Sequence, residues 1–420
     1  MQKALVVSIL VGNNFLQVDA TQRIEGVAVG IHSQYQEFIN LFQGQQFLQE
    51  AISLIEQKVQ RKVKEVNLIF DDFSLKNLGI ETKICNKTFL WSKDSTMVLN
   101  EQNYWDFHNF MEKELANQMQ EVSKKVLNLM PLKFVLQDPQ TNQNQTFAEF
   151  PHGKVVKQIS CVFSALTLPQ KFYDQVQQLF SNLDLKFKTT LVASQLSLYQ
   201  FQGVISNKLT FTINIKAKKT LLTTAINQVV VSRDELKFSY EDLVEKISKS
   251  FDLSGMIANN LVQRYGLVYS NNLAELSEII YMSNEDNALT KRDLQNVIKS
   301  FLKTLSMEVK DLISRKLNNH GRHFDINIIG QLENIANIDL YCRKYLQAKN
   351  VVGNLKNATS FTNWNPTYQI HLALVKYLKI INDKIQPLMP VVLPLVNQPQ
   401  PVAALDNIGE QPAANLVVLA

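Results

Sequence analysis

The chain has 420 residues, 45% of them hydrophobic and 19% charged, with a net charge of only +5. That is enough apolar material for two domains or one large subdivided one, which excludes a disordered acidic tail, and the scattered basic residues exclude a nucleic-acid arm. The three cysteines (Cys85, Cys161, Cys342) lie far apart without CxxC spacing, which excludes a disulfide framework or zinc knuckle and fits a reducing compartment.

The opening MQKALVVSILVG superficially resembles a signal peptide. It carries one lysine, a short apolar core and no small-residue cleavage site, so a buried strand is the better expectation. No run approaches about 18 apolar residues, so no membrane-spanning helix is predicted. Residues 4–10 and 15–18 read as strands flanking a turn at Val11-Gly12-Asn13-Asn14, and Ile24–Ile31 as another strand. A helix over 45–63 follows, with Phe47, Leu48, Ala51, Ile52, Ile55, Val59 and Val63 in one stripe. Val66–Phe70 is then a short apolar strand before an acidic turn. Hairpin, strand, crossover helix and strand together make an α/β unit.

Residues 73–164 differ in texture. An aromatic helix is expected near 103–127, then strands at Met130–Leu136 and Val155–Phe163 separated by the polar loop DPQTNQNQT. Core packing is the ordinary reading of these aromatics. A helix is expected from Leu168 to Leu183, with Pro169 in its first turn, then a strand at Thr189–Val192. A second set of strands follows at Leu209–Ile215, Leu221–Ile226 and Gln228–Val231, and helices at 240–265 and 290–317. Thr290 with Asp293 reads as a capping-box-like start. A strand at Phe324–Ile329 ends at Gly330, and Pro366 opens a helix through Ile380. From about 387 the chain holds six of its 11 prolines and reads as a PPII-prone tail; its NLVVLA ending is either a short docking peptide or a frayed terminus. His320 and His323 have ligand-pair spacing but no accompanying Cys or carboxylate cluster, so a loop location fits better.

Between two such hairpins the first turn holds Gly12, Asn13 and Asn14 and the second Lys216, Lys218 and Lys219. The order of elements is that of a duplicated architecture with both turns aimed at a common cleft. Several stretches resemble, in collinear order, the bacterial cell-division protein FtsA of the actin-like family. MPLKFVLQD (130–138) is similar to its IPxxYxLD strand; Phe163-Ser-Ala-Leu166 and LVASQLS (191–197) to GSxxALxNL…PLAS. RYG (264–266) resembles KxxYG, Thr290-Lys-Arg-Asp-Leu294 resembles SRxxLxxII, and NWNPTY (363–368) resembles NDPxYATAVGLL.

The resemblance implies an α/β fold: a duplicated actin-like (ribonuclease H-like) architecture of two lobes around a nucleotide cleft, with an inserted α+β subdomain of SHS2 type, called 1C. The implied boundaries are 1–72 and 165–205 for subdomain 1A, 73–164 for 1C, 206–236 and 322–386 for 2A, 237–321 for 2B, and 387–420 for the tail. It also implies self-association or polymerisation, and binding of the FtsZ C-terminal tail or other division proteins, in the cytoplasm at the division site. Lys246, Lys249, Arg264, Lys291 and Arg292 in 2B suit an acidic partner peptide; a solvated surface explains them equally.

The nucleotide site departs from the family. Where DIGSSK belongs, the chain reads Ser8-Ile-Leu-Val-Gly12-Asn13-Asn14; where DIGGGTTD belongs, Asn214-Ile-Lys-Ala-Lys-Lys-Thr-Leu221; and GGGA becomes Ile329-Gly330-Gln331-Leu332. Glycines let backbone N–H groups approach phosphates, and carboxylates position Mg²⁺ and water. With both eroded, no catalytic residue is assigned and ATP hydrolysis is not expected. Residual ATP binding, with Mg²⁺ coordination in doubt, would use Gly12, Asn13, Asn14, Lys216, Lys218, Lys219 and Gly330, the lysines supplying part of the metal's charge. The alternative is a solvated hairpin tip. No Lys or Arg follows Lys384, so the basic amphipathic helix that tethers this family to membranes is not expected. Two other functions stay open: an actin-fold pilus or secretion platform protein, and an ATP-dependent phosphotransferase of the same fold.

Overall fold

The computed structural model describes residues 5–24, 27–39, 43–75, 79–90, 97–138, 140–156, 158–181, 183–199, 209–270, 272–282, 288–317, 324–348, 350–352 and 368–383. The His320/His323 pair, the NWNP stretch, Pro366 and the proline-rich tail lie outside them.

The first lobe begins with β1 (Leu5–Val11), β2 (Phe15–Ile24), β3 (Val27–Glu37), α1 (Gly44–Val59) and β4 (Glu65–Phe70). An insertion follows: β5 (Glu81–Leu90), β6 (Met97–Val98), α2 (Glu101–Gln120), β7 (Lys124–Gln137), β8 (Asn144–Phe147), β9 (Val155–Val156) and β10 (Gln158–Pro169). The lobe closes with α3 (Gln170–Phe180), β11 (Lys186–Val192) and α4 (Ala193–Tyr199). The second lobe contains β12 (Leu209–Ile215), β13 (Thr220–Ile226), β14 (Val229–Leu236), α5 (Tyr240–Phe251), α6 (Gly255–Tyr265), α7 (Leu273–Leu276), β15 (Ile279–Met282), β16 (Ala288–Thr290) and α8 (Lys291–Leu317). It continues through β17 (Asp325–Gly330), a 3-10 turn (Gln331–Asn334), α9 (Ile338–Leu346) and β18 (Asn350–Val352); α10 (Tyr368–Asp383) then packs back on the first lobe.

The two main sheets repeat one plan. The first has the order β11-β4-β1-β2-β3, the second β18-β17-β12-β13-β14. In each, the first three strands form an antiparallel meander and the other two run parallel to the first. Matching strand order, direction and crossovers make this the duplicated actin-like fold. The insertion builds its own sheet, β5-β10-β7-β8, with α2 packed on it through Tyr104, Phe107, Met111 and Leu115.

The apolar alternation accounts for the placement. Val7, Ile9 and Val11 of β1 face α1 and α3, while Leu10 and Phe15 face the opposite side, where α4 and α10 cover them. The expected capping box at α8 is present: the Thr290 hydroxyl donates to Asp293 Oδ2 (2.6 Å), and the Asp293 N–H donates to Thr290 Oγ1.

Four sequence expectations are corrected. The strand expected at Ile24–Ile31 is the end of β2 and the start of β3. The aromatic helix stops at Gln120 instead of 127, because Lys124–Leu127 begins the 14-residue β7 that pairs with β10. The helix expected over 240–265 is two: α5 ends at Asp252 in a left-handed conformation, and Ser254 caps α6. Leu168 and Pro169 end a strand, and α3 starts only at Gln170.

Candidate functional site

The two hairpin turns meet where the lobes face each other. In the first, Gly12 N–H donates to the Phe15 carbonyl, and the Phe15 ring lies where a side chain at Gly12 would stand, 2.0 Å from an ideal Cβ. Gly12 is thus required by packing inside its own turn. Asn13 and Asn14 are exposed, but the Asn13 N–H is already donated to Ser74 Oγ (3.2 Å).

The second turn is closed by a Lys216 N–H to Lys219 carbonyl bond, and its Lys216 and Ala217 carbonyls accept from the first N–H groups of α5. Lys216 and Lys219 do not point into solvent. Lys216 Nζ sits 3.2 Å from both oxygens of Asp71 and 4.8 Å from the centre of the Phe73 ring. Lys219 Nζ donates to the Phe73 carbonyl. Lys218 alone of the three is exposed. Gly330 (φ +89°) ends β17 against β12, where a side chain would stand 2.2 Å from the Ile215 carbonyl; the backbone itself demands glycine there.

The acceptors come from the Asp71-Asp72 pair directly after β4. Asp71 N–H donates to the Val11 carbonyl, tying this segment to the first hairpin. Asp72, with no exposed side-chain surface, takes Arg233 Nε of β14 at 2.6 Å and accepts from the Ser194 N–H and hydroxyl. Arg233 also donates through Nη1 to Thr82 Oγ1 of the insertion (2.6 Å), so one guanidinium joins both lobes and the insertion. Around them Leu10, Phe15, Ile69, Phe73, Leu191, Leu196 and Tyr199 pack with Leu221 of the second lobe and with Ala373, Leu374 and Tyr377 of α10.

Behind this seam Ser8 shares a 2.6 Å hydrogen bond with His371 Nδ1 of α10; His371 Nε2 lies 3.2 Å from Thr21 Oγ1. Complete burial pushes the His371 pKa down to about 3. Burial raises that of Asp19, on β2, to about 6, although hydrogen bonds from Ser33 and Gln17 partly offset it.

These residues do not fit Mg²⁺ and ATP. Asp71 and Asp72 are paired with cations of the chain itself, the Asn13 N–H has a protein acceptor, and Phe15 covers the glycine. Among the described residues no group of three or more His, Cys, Asp or Glu is gathered to hold a metal.

The five basic residues expected to meet a partner lie on three helices. Lys246 bonds Ser300 of α8, Lys249 pairs with Glu245 one turn away, and Lys291 pairs with Glu278 (2.6 Å) while lying over the Tyr265 ring. Arg264 and Arg292 are exposed. Sequence reading missed Asp71, Asp72, Ser194 and Arg233 as site residues. The acidic turn after Val66–Phe70 was the available signal, since paired carboxylates beside a buried strand need cations.

A separate groove lies away from this seam. Its volume is about 880 Å³, and it runs between α2 and α3, lined by Glu112, Lys124, Lys125, Lys171, Asp174 and neighbouring glutamines.

No protein-family model matches the chain, and no curated protein sequence matches it. Among solved structures it is similar to the PilM-PilN type IV pilus biogenesis complex (10% identity, 91% of this chain and 99% of that one, TM-score 0.49). It is also similar to MreB5 of Spiroplasma citri bound to ADP (11% identity, 90% and 98%, TM-score 0.44). A third similar structure is a diol dehydratase-reactivating factor in nucleotide-free form (8% identity, 89% and 99%, TM-score 0.44). At these values the fold assignment rests on the strand order of the two sheets.

Proposed function

We propose that this chain is an actin-fold scaffold of the bacterial division apparatus, working by self-association and by docking partner proteins, with the FtsZ C-terminal tail as the leading partner. The observation that carries the non-enzymatic part is the internal pairing of the cleft: Asp71 with Lys216 and Asp72 with Arg233. The collinear FtsA-like motifs support the choice of partner.

The test has two arms. Melting curves with ATP or ADP, with and without Mg²⁺, are expected to superimpose on that of the free protein. A ligand present at 100 times its Kd would stabilise by about 2.7 kcal/mol, so a clear upward shift would overturn the reading of the cleft. Co-sedimentation with FtsZ polymers at low salt is expected to succeed; absence of binding where electrostatic attraction is least screened would remove the division-specific part.

A second reading, a platform protein of a pilus or secretion assembly, is favoured by the groove between α2 and α3. Its mixed lysine and carboxylate lining suits a polar peptide segment of a partner. Lys125→Glu at the groove is expected to leave FtsZ binding intact under the first reading and to abolish partner capture under the second.

A further inference from the structure

The β13–β14 hairpin of the second lobe is gripped along its whole length by the rest of the chain. At one end Lys216 and Lys219, in the turn before β13, hold Asp71 and the Phe73 carbonyl. In the middle of β14, Arg233 holds Asp72, Ser194 and Thr82. At the other end is the turn Asn227-Gln228, both residues left-handed. There Asn227 Nδ2 donates to the Leu132 carbonyl of the insertion, and Gln195 of α4 donates to the Gln228 carbonyl (2.6 Å) and accepts from Val230 N–H. Ser164 Oγ of the insertion donates to the Val230 carbonyl (2.6 Å).

The grip is two-sided. Successive strand residues point to opposite faces. Val229 and Val231 pack on Met130, Leu132 and Val162 of the insertion, while Val230 packs with Leu198 of α4. Contacts at both ends of β13, about 24 Å apart for seven residues, oppose rotation across the hairpin. Contacts on both faces oppose rotation about its length. A hinge between the lobes therefore has no axis that leaves every attachment intact.

We infer that the two lobes are latched shut by the chain's own side chains, so that their spacing is fixed and does not respond to a ligand in the cleft. Only the indifference to nucleotide rests on the reading of the cleft given above; the latch itself does not.

Nitroxide labels at Gln49→Cys on α1 and Lys303→Cys on α8, both exposed, report the spacing by pulsed electron resonance in a Cys85→Ser background; Cys161 and Cys342 are buried. The expected result is one narrow distance distribution that excess ATP with Mg²⁺ leaves unchanged. Two populations in the free protein, or a shift on adding nucleotide, would overturn the latch. Arg233→Ala with Ser164→Ala is expected to broaden the distribution toward longer distance; a folded double variant as narrow as its parent would also overturn it. If that variant does not fold, Lys216→Gln with Asn227→Gly, milder and compatible with the left-handed turn, makes the same comparison. Calorimetric titration run in parallel separates the two ideas. Nucleotide binding at unchanged spacing would sink the reading of the cleft and leave the latch standing.

Discussion

Replacing Arg233 by alanine is expected to lower the free energy of unfolding by roughly 3–5 kcal/mol, because it leaves a buried carboxylate without its counter-charge. Asp72 has no exposed side-chain surface and Arg233 is 9% exposed, so water cannot take over the pairing. The loss reaches three places at once, since the same guanidinium also meets Ser194 and Thr82. Arg233→Lys keeps the charge but not the fork, and is expected to recover only part of the loss. Lys216→Ala gives the contrast. Its side chain is 35% exposed, so the pair with Asp71 is partly screened, and a loss of about 1 kcal/mol or less is expected. Urea unfolding of the three variants checks the ranking; a loss for Arg233→Ala as small as that for Lys216→Ala would show that Asp72 is not sealed from solvent.

Asp19→Asn is expected to stabilise the protein above pH 6. The folded-state pKa of about 6 lies above the ordinary value of 3.8, so the folded protein binds the proton more tightly than the unfolded chain does. Stability contributed by the protonated carboxyl is fully present below pH 3.8 and is lost as pH rises to 6 and beyond. A shift of about two units corresponds to about 3 kcal/mol at most, at about 1.4 kcal/mol per unit. His371 works in the opposite direction. Its lowered pKa makes the fold lose stability as pH falls below 6.5. The parent's profile therefore mixes two opposed slopes, and the difference between parent and Asp19→Asn isolates the carboxyl. Melting curves from pH 4 to 8 are expected to converge at the acid end and separate at the alkaline end. Parallel profiles would show that Asp19 is not the titrating group.

The hairpins were legible because each is a β-branched run broken by a turn, and that pattern depends only on near neighbours. The duplicated architecture followed from their repetition. What stayed hidden depends on distant partners. The Lys216 side chain reads as a surface cation until Asp71, 145 residues earlier, is placed beneath it. β5 (ETKICNKTFL) carries Lys83 and Lys87 on the half-buried face beside Cys85 and Phe89, and Ile84 on the exposed face, so no clean alternation announced it. The break in the helix over 240–265 rests on Asp252 turning left-handed, a choice that apolar periodicity does not record. Gly12 and Gly330 looked like relics of phosphate loops. Their surroundings show that packing and backbone geometry are sufficient reasons for both.

The hydrogen bond between Ser8 and His371 spans 363 residues, and it sets an order of events during synthesis. The α1 face of the first sheet can be covered as soon as residues up to α3 have emerged. The other face, with Leu10, Phe15 and Ile69, is covered in part by α4 and is completed only by α10, the last described element. For much of its translation the chain thus carries a sheet with one finished side and one half-covered apolar side. Early loss of this last described helix, by a stop codon or proteolysis before residue 368, would leave that side half-covered for good, and the first lobe would become a target for chaperones and proteases, not a free-standing domain.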